Sequence, residues 1–578
     1  MSSRLLAVAQ KQILGALALS VIATIAMPSA VKAQANAAPS AATLSAQNAA
    51  AASDPILQAM LAEMNRSRDQ LKMDNVPKPY YIEYRITDRD IYEADSAFGA
   101  MRYSQRVRQR VVRAVVRIGD YKQDSYYGQG QGAAEQITLE DDIFALRHSL
   151  WLLTDTAYKR AGEALAAKQA MLKEVTPDLT TEDFAHAPVV TAVDSTVKLT
   201  VDQAATDHML RAATAIYVDD PDLQMLDSAV TYIAKNDYFI NSEGTITRHG
   251  QTTYQIGITG VTQAKDGMQL MRTPSDYYAR ADEIPNEAKL VSEAHQVVAT
   301  LKALRDAPIV EEEYRGPVLL SSDAASDVLA TLIGDNLSAR KPGPGRGGRT
   351  VGPFASAYKS RVLPNFVTVI DDPTQTEYHG ESLVGSYRYD DEGVRVAPLT
   401  VIDKGQLVSF LTTRQPIQDF PTSNGHAMAA NGAPPQSHFG VLTLTSAEAM
   451  SPDELKKKLI QMCKDQGKAY GYRVETFGGL TSPRLLYRVW ANDGHEELVR
   501  GALLNELDVR GLRNDLIAVG NDMFVSNRSG VVPNTVISSS MLFDELEIRR
   551  DDRAKAKLPE YPAPPIIATG TGTGSGQH

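Results

Sequence analysis

"SAVTYIAKNDYFINSEGTITRHGQTTYQIGITGVTQAKDGMQ", residues 228–269, reads as successive strands. Turn residues punctuate it at Asn241-Ser242-Glu243-Gly244 and Lys265-Asp266-Gly267. Glycine supplies a positive φ there at no steric cost. Strand-like runs also lie upstream, at "YYIEYRITD" (80–88) and "RVRQRVVRAVVRIGDYKQD" (106–124). The second alternates basic and apolar residues. Its period of two favours a half-buried strand with arginines on the wet face over a nucleic-acid-binding stripe.

Helical patterns separate these strands. Ile56, Met60 and Met64 recur at a spacing of four. Thr138 with Asp141 opens a long helix to about residue 174, and Pro285 opens another over 285–306. "RGPVLLSSDAASDVLATLIGD" (315–335) reads as a short buried strand, a Ser/Asp turn and a helix. In "SPDELKKKLIQMCKDQGKAYG" (451–471), Ser451 is the N-cap, Pro452 the first helical residue and Glu454 the far half of a capping box. Leu455, Leu459, Met462 and Cys463 share one face of that helix, so Cys463 is expected in a core. It is the only cysteine, which excludes an internal disulfide and a cysteine-cluster zinc site. Together these elements predict an α+β fold, with two sheet-containing parts joined near 307–315 and long helices.

The termini read differently. Arg4 and Lys11, the apolar run 13–27 and the small residues before Ala33 match a secretory signal peptide cut after Ala33. The expected location is therefore periplasmic or secreted, with no stable membrane insertion after cleavage. Loss of Arg4, Lys11 and Lys32 takes the net charge from −11 to −14, which opposes general nucleic-acid binding. An Ala/Ser-rich tether is expected over 34–54, an N-terminal and central region over 55–312, a C-terminal domain over 313–555, and a disordered tail over 556–578. "SARKPGPGRGGRTVGP" (338–353) is rich in Pro, Gly and Arg and reads as a mobile loop; the missing Lys-Ser/Thr pair speaks against a phosphate loop.

At "YDDEGVRVAPLTVIDKGQLVSFLTTR" (389–414) an acidic turn is followed by a strand, an I-x-x-G-x-L turn and another strand. This resembles the TldD/PmbA family, also called modulator of DNA gyrase. Four further pieces agree in order: residues 315–333, "VLPNFVTVIDDPT" (362–374), "VWANDGHEELVRGALL" (489–504) and "LIAVGNDMFV" (516–525). The resemblance spans about residues 80 to 550. It implies a metallopeptidase-related protein with TldD/PmbA-like N- and C-terminal domains. TldD-like members carry zinc on H-E-x-x-x-H in the first helix of the C-terminal domain, plus a Cys near the C-terminus, and degrade unfolded peptides. PmbA-like members lack these ligands and pair with a TldD-like partner. Here the helix reads "SSDAASDVLATLIGD", and "FVSNRSGVVPN" (524–534) holds Ser526 and Ser529 but no Cys. The resemblance therefore points to the PmbA-like branch, with no cofactor of its own.

His495-Glu496 looks like half of a zinc motif, but Val499 and Arg500 stand where a second His is needed. Asn492-Asp493-Gly494 makes this stretch a hairpin turn. The expected function is an exported, zinc-less subunit that engages peptide or unfolded protein, alone, as a homodimer or beside a TldD-like partner. Whether it is an enzyme stays open. The alternatives are a hydrolase with non-standard ligands, for which His379, Asp390, Asp391 and Glu392 are the catalytic candidates, and a structural envelope protein. The bland reading of the three acids is a well-solvated loop cluster. His426 and His438 are further loop histidines of the C-terminal domain.

Overall fold

The computed structural model describes residues 39–175, 181–343, 350–505, 507–530, 532–552, 557–561 and 564. The expected signal peptide, the centre of the 338–353 loop and most of the expected tail lie outside the described residues. The flanks of that loop are pinned: Arg340 and Val351 exchange backbone hydrogen bonds, and Lys341 Nζ sits 2.8 Å from Asp183 Oδ1.

Within the stretch expected to be a tether, helix α1 (Ala41–Ala51) forms, capped by Ser40 and burying Gln47 and Ala51. Alanine is the strongest helix former, and contact with the next helix supplies the burial that an isolated segment lacks. That next helix, α2 (Pro55–Gln70), starts at Asp54, whose side chain accepts from the Ile56 and Leu57 amides.

Strands β1 (Pro79–Ala97) and β2 (Ala100–Ile118) form an antiparallel hairpin of 19 residues each, about 60 Å long at the usual rise. Phe98 and Gly99 turn it with φ of 49° and 77°, both positive as a two-residue hairpin turn demands. Helix α3 (Ile143–Glu174) is capped by Asp142 rather than Asp141, and α4 (Gln203–Ala215) follows. A second long hairpin pairs β3 (Leu223–Asn241) with β4 (Ile246–Gln263). Strands β5 (Gln269–Arg272) and β6 (Ser275–Tyr278) fold back onto β4, and α5 (Glu287–Asp306) is capped by Asn286. Among the described residues the sheet order is Ala133–Gln136, β2, β1, β3, β4, Thr191–Val193. Tyr84, Ile86, Val112 and Val116 pack under α2 and α3, while Tyr92, Val230, Tyr232 and Ile256 pack with Leu210 of α4 and Leu301 of α5.

The alternation in β2 is present, but its arginines are not all on a wet face. Arg110, Arg113 and Arg117 are at most 5% exposed. Arg110 lies 2.6 Å from Asp88 and 2.7 Å from Asp141, and Arg117 lies 2.7 Å from Asp124. Arg113 Nη1 donates to Gly432 O at 3.1 Å. The C-terminal part thus covers a face that the strand pattern alone would leave to water.

That part runs through β7 (Tyr314–Leu320), α6 (Ser322–Val328), β8 (Val367–Asp371), β9 (Leu399–Asp403), β10 (Val441–Ser446) and α7 (Pro452–Asp465). It continues with β11 (Tyr470–Phe477), β12 (Pro483–Trp490), β13 (Phe524–Ser529), β14 (Pro533–Ser538) and β15 (Met541–Arg550). One sheet is ordered Gln406–Leu407, β9, β8, β10, β14, β13; the other Glu496–Val499, β12, β11, β7, β15, Ala502–Asn505. Val318, Leu320, Val367, Leu442, Tyr472 and Phe543 share one core. Leu319 points the other way, into a core with Leu455, Leu459 and Cys463 of α7. The expected capping box at Ser451 and Glu454 is present, and burial pushes the Cys463 thiol up to about 11. No helix among the described residues is long and apolar enough to cross a membrane.

Candidate functional site

Among the described residues, strand β13 ends its sheet and β6 pairs only with β4. A cavity of about 1010 Å³ opens where β6, β13, α6 and the β11–β12 turn meet. Asn527 ties its two strand walls: Nδ2 donates to Tyr277 O at 3.0 Å and to Ser382 O at 2.8 Å.

Helix α6 begins at Ser321, whose side chain accepts from the Ala324 amide. Ala324, Ala325, Ser326 and Val328 are buried in the core. Asp323 and Asp327, four residues apart on one face, border the cavity instead. Asp327 pairs with Arg528 of β13 at 2.6 Å. Asp323 has no hydrogen bond or ion pair through its carboxylate among the described residues. Burial, and then the Asp327 charge, raise its pKa to about 6.

Besides Arg528, the cations Lys289, Arg272 and Arg484 line the same cavity. Arg272, at the end of β5, donates from Nη1 to Thr476 Oγ1 at 2.7 Å, and its buried Nε has no hydrogen-bond partner. Arg484, early in β12, donates from Nη1 to Met271 O at 3.1 Å. Neither forms an ion pair among the described residues. Burial lowers both pKa values; for Arg272 the Arg484 charge adds to this against the pull of Asp323. Gly478 lies against the Arg484 guanidinium, where a Cβ would collide with Nε.

The fold is shared with solved structures. A Thermotoga maritima protein, named as a candidate modulator of a DNA gyrase, superposes with a TM-score of 0.58 at 14% identity over 85% of this chain and 99% of its own. TldE from Thermococcus kodakarensis gives 0.55 at 13% identity, again over 85% and 99%. A metalloprotease from Archaeoglobus fulgidus is 31% identical over 127 residues, 22% of this chain and only 26% of that protein's length. Residues 313–550 match the PmbA/TldA metallopeptidase C-terminal domain. The C-terminal part of this chain, residues 313–550, belongs to the TldD/PmbA family.

The cavity lies between the two segments of this TldD/PmbA-like C-terminal domain where the resemblance locates zinc ligands, α6 and β13. Its described lining contains no His or Cys. Nor does any group of three or more His, Cys, Asp or Glu among the described residues converge as a metal site. The donor set does not fit a catalytic zinc: Asp327 is taken by Arg528, and Arg272 and Arg484 add positive charge where a cation would sit.

The sequence candidates fall elsewhere. Asp390, Asp391 and Glu392 are not a solvated cluster; each is 7% exposed or less. Asp390 accepts from the amides of Glu392, Val394 and Ala427. Asp391 accepts from Ala429 N at 2.7 Å, and Glu392 from Arg414 N at 2.6 Å. Burial raises the Asp390 pKa well above the carboxylate range and that of Glu392 to about 7. They tie loops of the C-terminal part to one another, beneath the N-terminal sheet. His379 is exposed at a hairpin tip with φ of 50°, stacked on Tyr378, and contacts none of them. His426 is buried 2.9 Å from Asp371. His495 is exposed in the expected turn, with Gly494 at φ 76°, and Glu496 pairs with Arg473 and Lys456. Sequence reasoning missed Arg272, Arg484, Asp323 and Asp327. The Gly478-Gly479 pair is the one local signal, since glycine in a strand end marks close approach.

Proposed function

We propose that this protein is an exported PmbA-like member that holds unfolded peptide in extended form, without a catalytic zinc of its own. It would do so alone, as a homodimer or beside a zinc-bearing TldD-like partner. The carrying observation is the cavity of about 1010 Å³ walled by two edge strands, β6 and β13. An edge strand offers unpaired backbone donors and acceptors, so an extended peptide can add to it with little dependence on its side chains. Export is supported by the leader pattern of residues 1–33. The zinc-less reading is supported by a lining without His or Cys and by the Asp327–Arg528 pair.

Hydrogen exchange with and without an unfolded peptide tests the reading. Amides of β6 and β13 should gain protection, with no stoichiometric zinc and no chelator-sensitive cleavage by the isolated chain. Protection confined to other elements, or tight zinc lost to chelator together with cleavage, would sink it.

A further inference from the structure

We propose that Arg272 and Arg484 form a carboxylate-binding pair in this cavity, which takes a peptide carboxylate and so fixes the position of the bound chain. This deepens the peptide-binding reading and rests on it.

The argument begins with charge satisfaction. A partly buried guanidinium normally has a carboxylate beside it, because removing its charge from water is costly. Arg110, Arg117, Arg305, Arg414 and Arg528 follow that rule, each within 3 Å of an acidic side chain, whereas Arg113 gives its donors to the Gly432 and Gln131 carbonyls instead. Arg272 and Arg484 break it together, on one cavity. Among the described residues each spends a single donor on a neutral oxygen, Thr476 Oγ1 and Met271 O. Each guanidinium carries five N–H donors in a planar fork suited to a carboxylate. Arg272 keeps its buried Nε unpaired.

The arrangement is also held in place. Met271 O receives Arg484, so the residue next to Arg272 orients the second cation. Gly478 leaves the space that the Arg484 side chain fills. The cavity carries both signs of charge, Arg272 and Arg484 as cations and Asp323 and Asp327 as acids, and Arg272 and Asp323 feel each other's charge. A dianion such as phosphate would meet those acids with twice the repulsion of a carboxylate. A peptide, with one carboxylate and neutral amides, suits both signs of charge.

The test uses the purified full chain and three unfolded peptides built on one Glu- and Asp-free parent sequence: its free C-terminal acid, its C-terminal amide, and the amide with one internal residue changed to Glu. Affinity is read by fluorescence anisotropy. The free acid should bind about tenfold or more tightly than the plain amide, in line with a charge-assisted hydrogen-bond pair. If the internal Glu restores the affinity, a side chain supplies the carboxylate; if not, the chain end does. Arg272→Gln and Arg484→Gln should each collapse the acid/amide difference. Arg484→Lys, which keeps the charge, should retain part of the preference. Equal binding of all three peptides by the wild type overturns the proposal and leaves the peptide reading standing. So does a preference that survives both Gln variants. No binding of any peptide overturns both. The wild-type comparison needs no variant to fold.

Discussion

Where the N-terminal sheet meets the C-terminal loops, most buried charges hold charged or backbone partners, although Arg85 Nη1 and Arg113 Nε make no hydrogen bond there; on the cavity between β6 and β13, two arginines and an aspartate have no ion pair among the described residues. Arg414 is fully buried, donates twice to Ala185 O, pairs with Glu243 at 2.8 Å and stacks 4.1 Å over Phe184. Asp390 is surrounded by three backbone amides. Arg272, Arg484 and Asp323 are only partly buried, yet lack such partners. Completed networks stabilise an interface. Incomplete ones, held on a cavity, mark where another molecule can complete them. The carboxylates most conspicuous in the sequence belong to the first kind.

This contrast predicts the largest effect at the seam. Arg414→Met should cost about 3–5 kcal/mol, because it strands buried acceptors around the missing charge. Urea denaturation at pH 7 measures it, and a loss below about 1 kcal/mol would show that the seam does not hold the two parts together. Asp390→Ala should follow at about 2–3 kcal/mol, through amides left without an acceptor. Neither variant should alter a preference for peptide acid over amide. If Asp390→Ala abolished that preference while the fold remained intact, the two regions would not be separable.

The same contrast explains what could be read from sequence. Local signals held: the capping box at Ser451, the turn at Asn492-Asp493-Gly494 and the buried face of Leu455, Leu459 and Cys463 all depend on neighbours a few residues away. The α+β class followed from strand and helix periods. Burial of Arg113 was not legible, because the covering loop near Gly432 lies more than three hundred residues downstream. The acids at 390–392 misled for the same reason, since burial is decided by the sheet above them. Arg272 and Arg484 stand 212 residues apart and meet only because β5 folds back beside the β11–β12 turn. The resemblance did lead to α6 and β13, through ligands it expected and did not find.

Asp323 gives a smaller, pH-dependent effect. Its folded pKa of about 6 lies above the ordinary value of 3.8. Its contribution to stability is therefore fully present below about pH 3.8 and is lost as the pH rises through 6. At pH 7 the ionised side chain is a cost, so Asp323→Asn should be the more stable protein by about 1 kcal/mol after solvent screening. The difference should shrink toward pH 4. Denaturation of both proteins at pH 4, 5.5 and 7 checks the sign. A variant less stable at pH 7, with a difference that does not vary with pH, would remove Asp323 from the group of unsatisfied charges.

The smallest effect belongs to the residue that most resembles a zinc ligand. His495 is exposed, and its side chain contacts only its neighbours: Nδ1 lies 2.7 Å from Asp493, and the ring stacks 5.6 Å from Trp490. Glu496 faces Lys456 and Arg473 rather than a metal. Val499, one helical turn on if this were a helix, is a buried strand residue, and Arg500 pairs with Asp266. A turn that already has Gly494 at positive φ and the Asp493 side chain capping the His495 amide keeps its shape without the imidazole. His495→Ala should therefore change stability by no more than about 0.5 kcal/mol and leave peptide affinity and zinc content as they are in the wild type. Bound metal that disappears with this one substitution would put the chemistry at the turn, and the unpaired charges of the cavity would need another explanation.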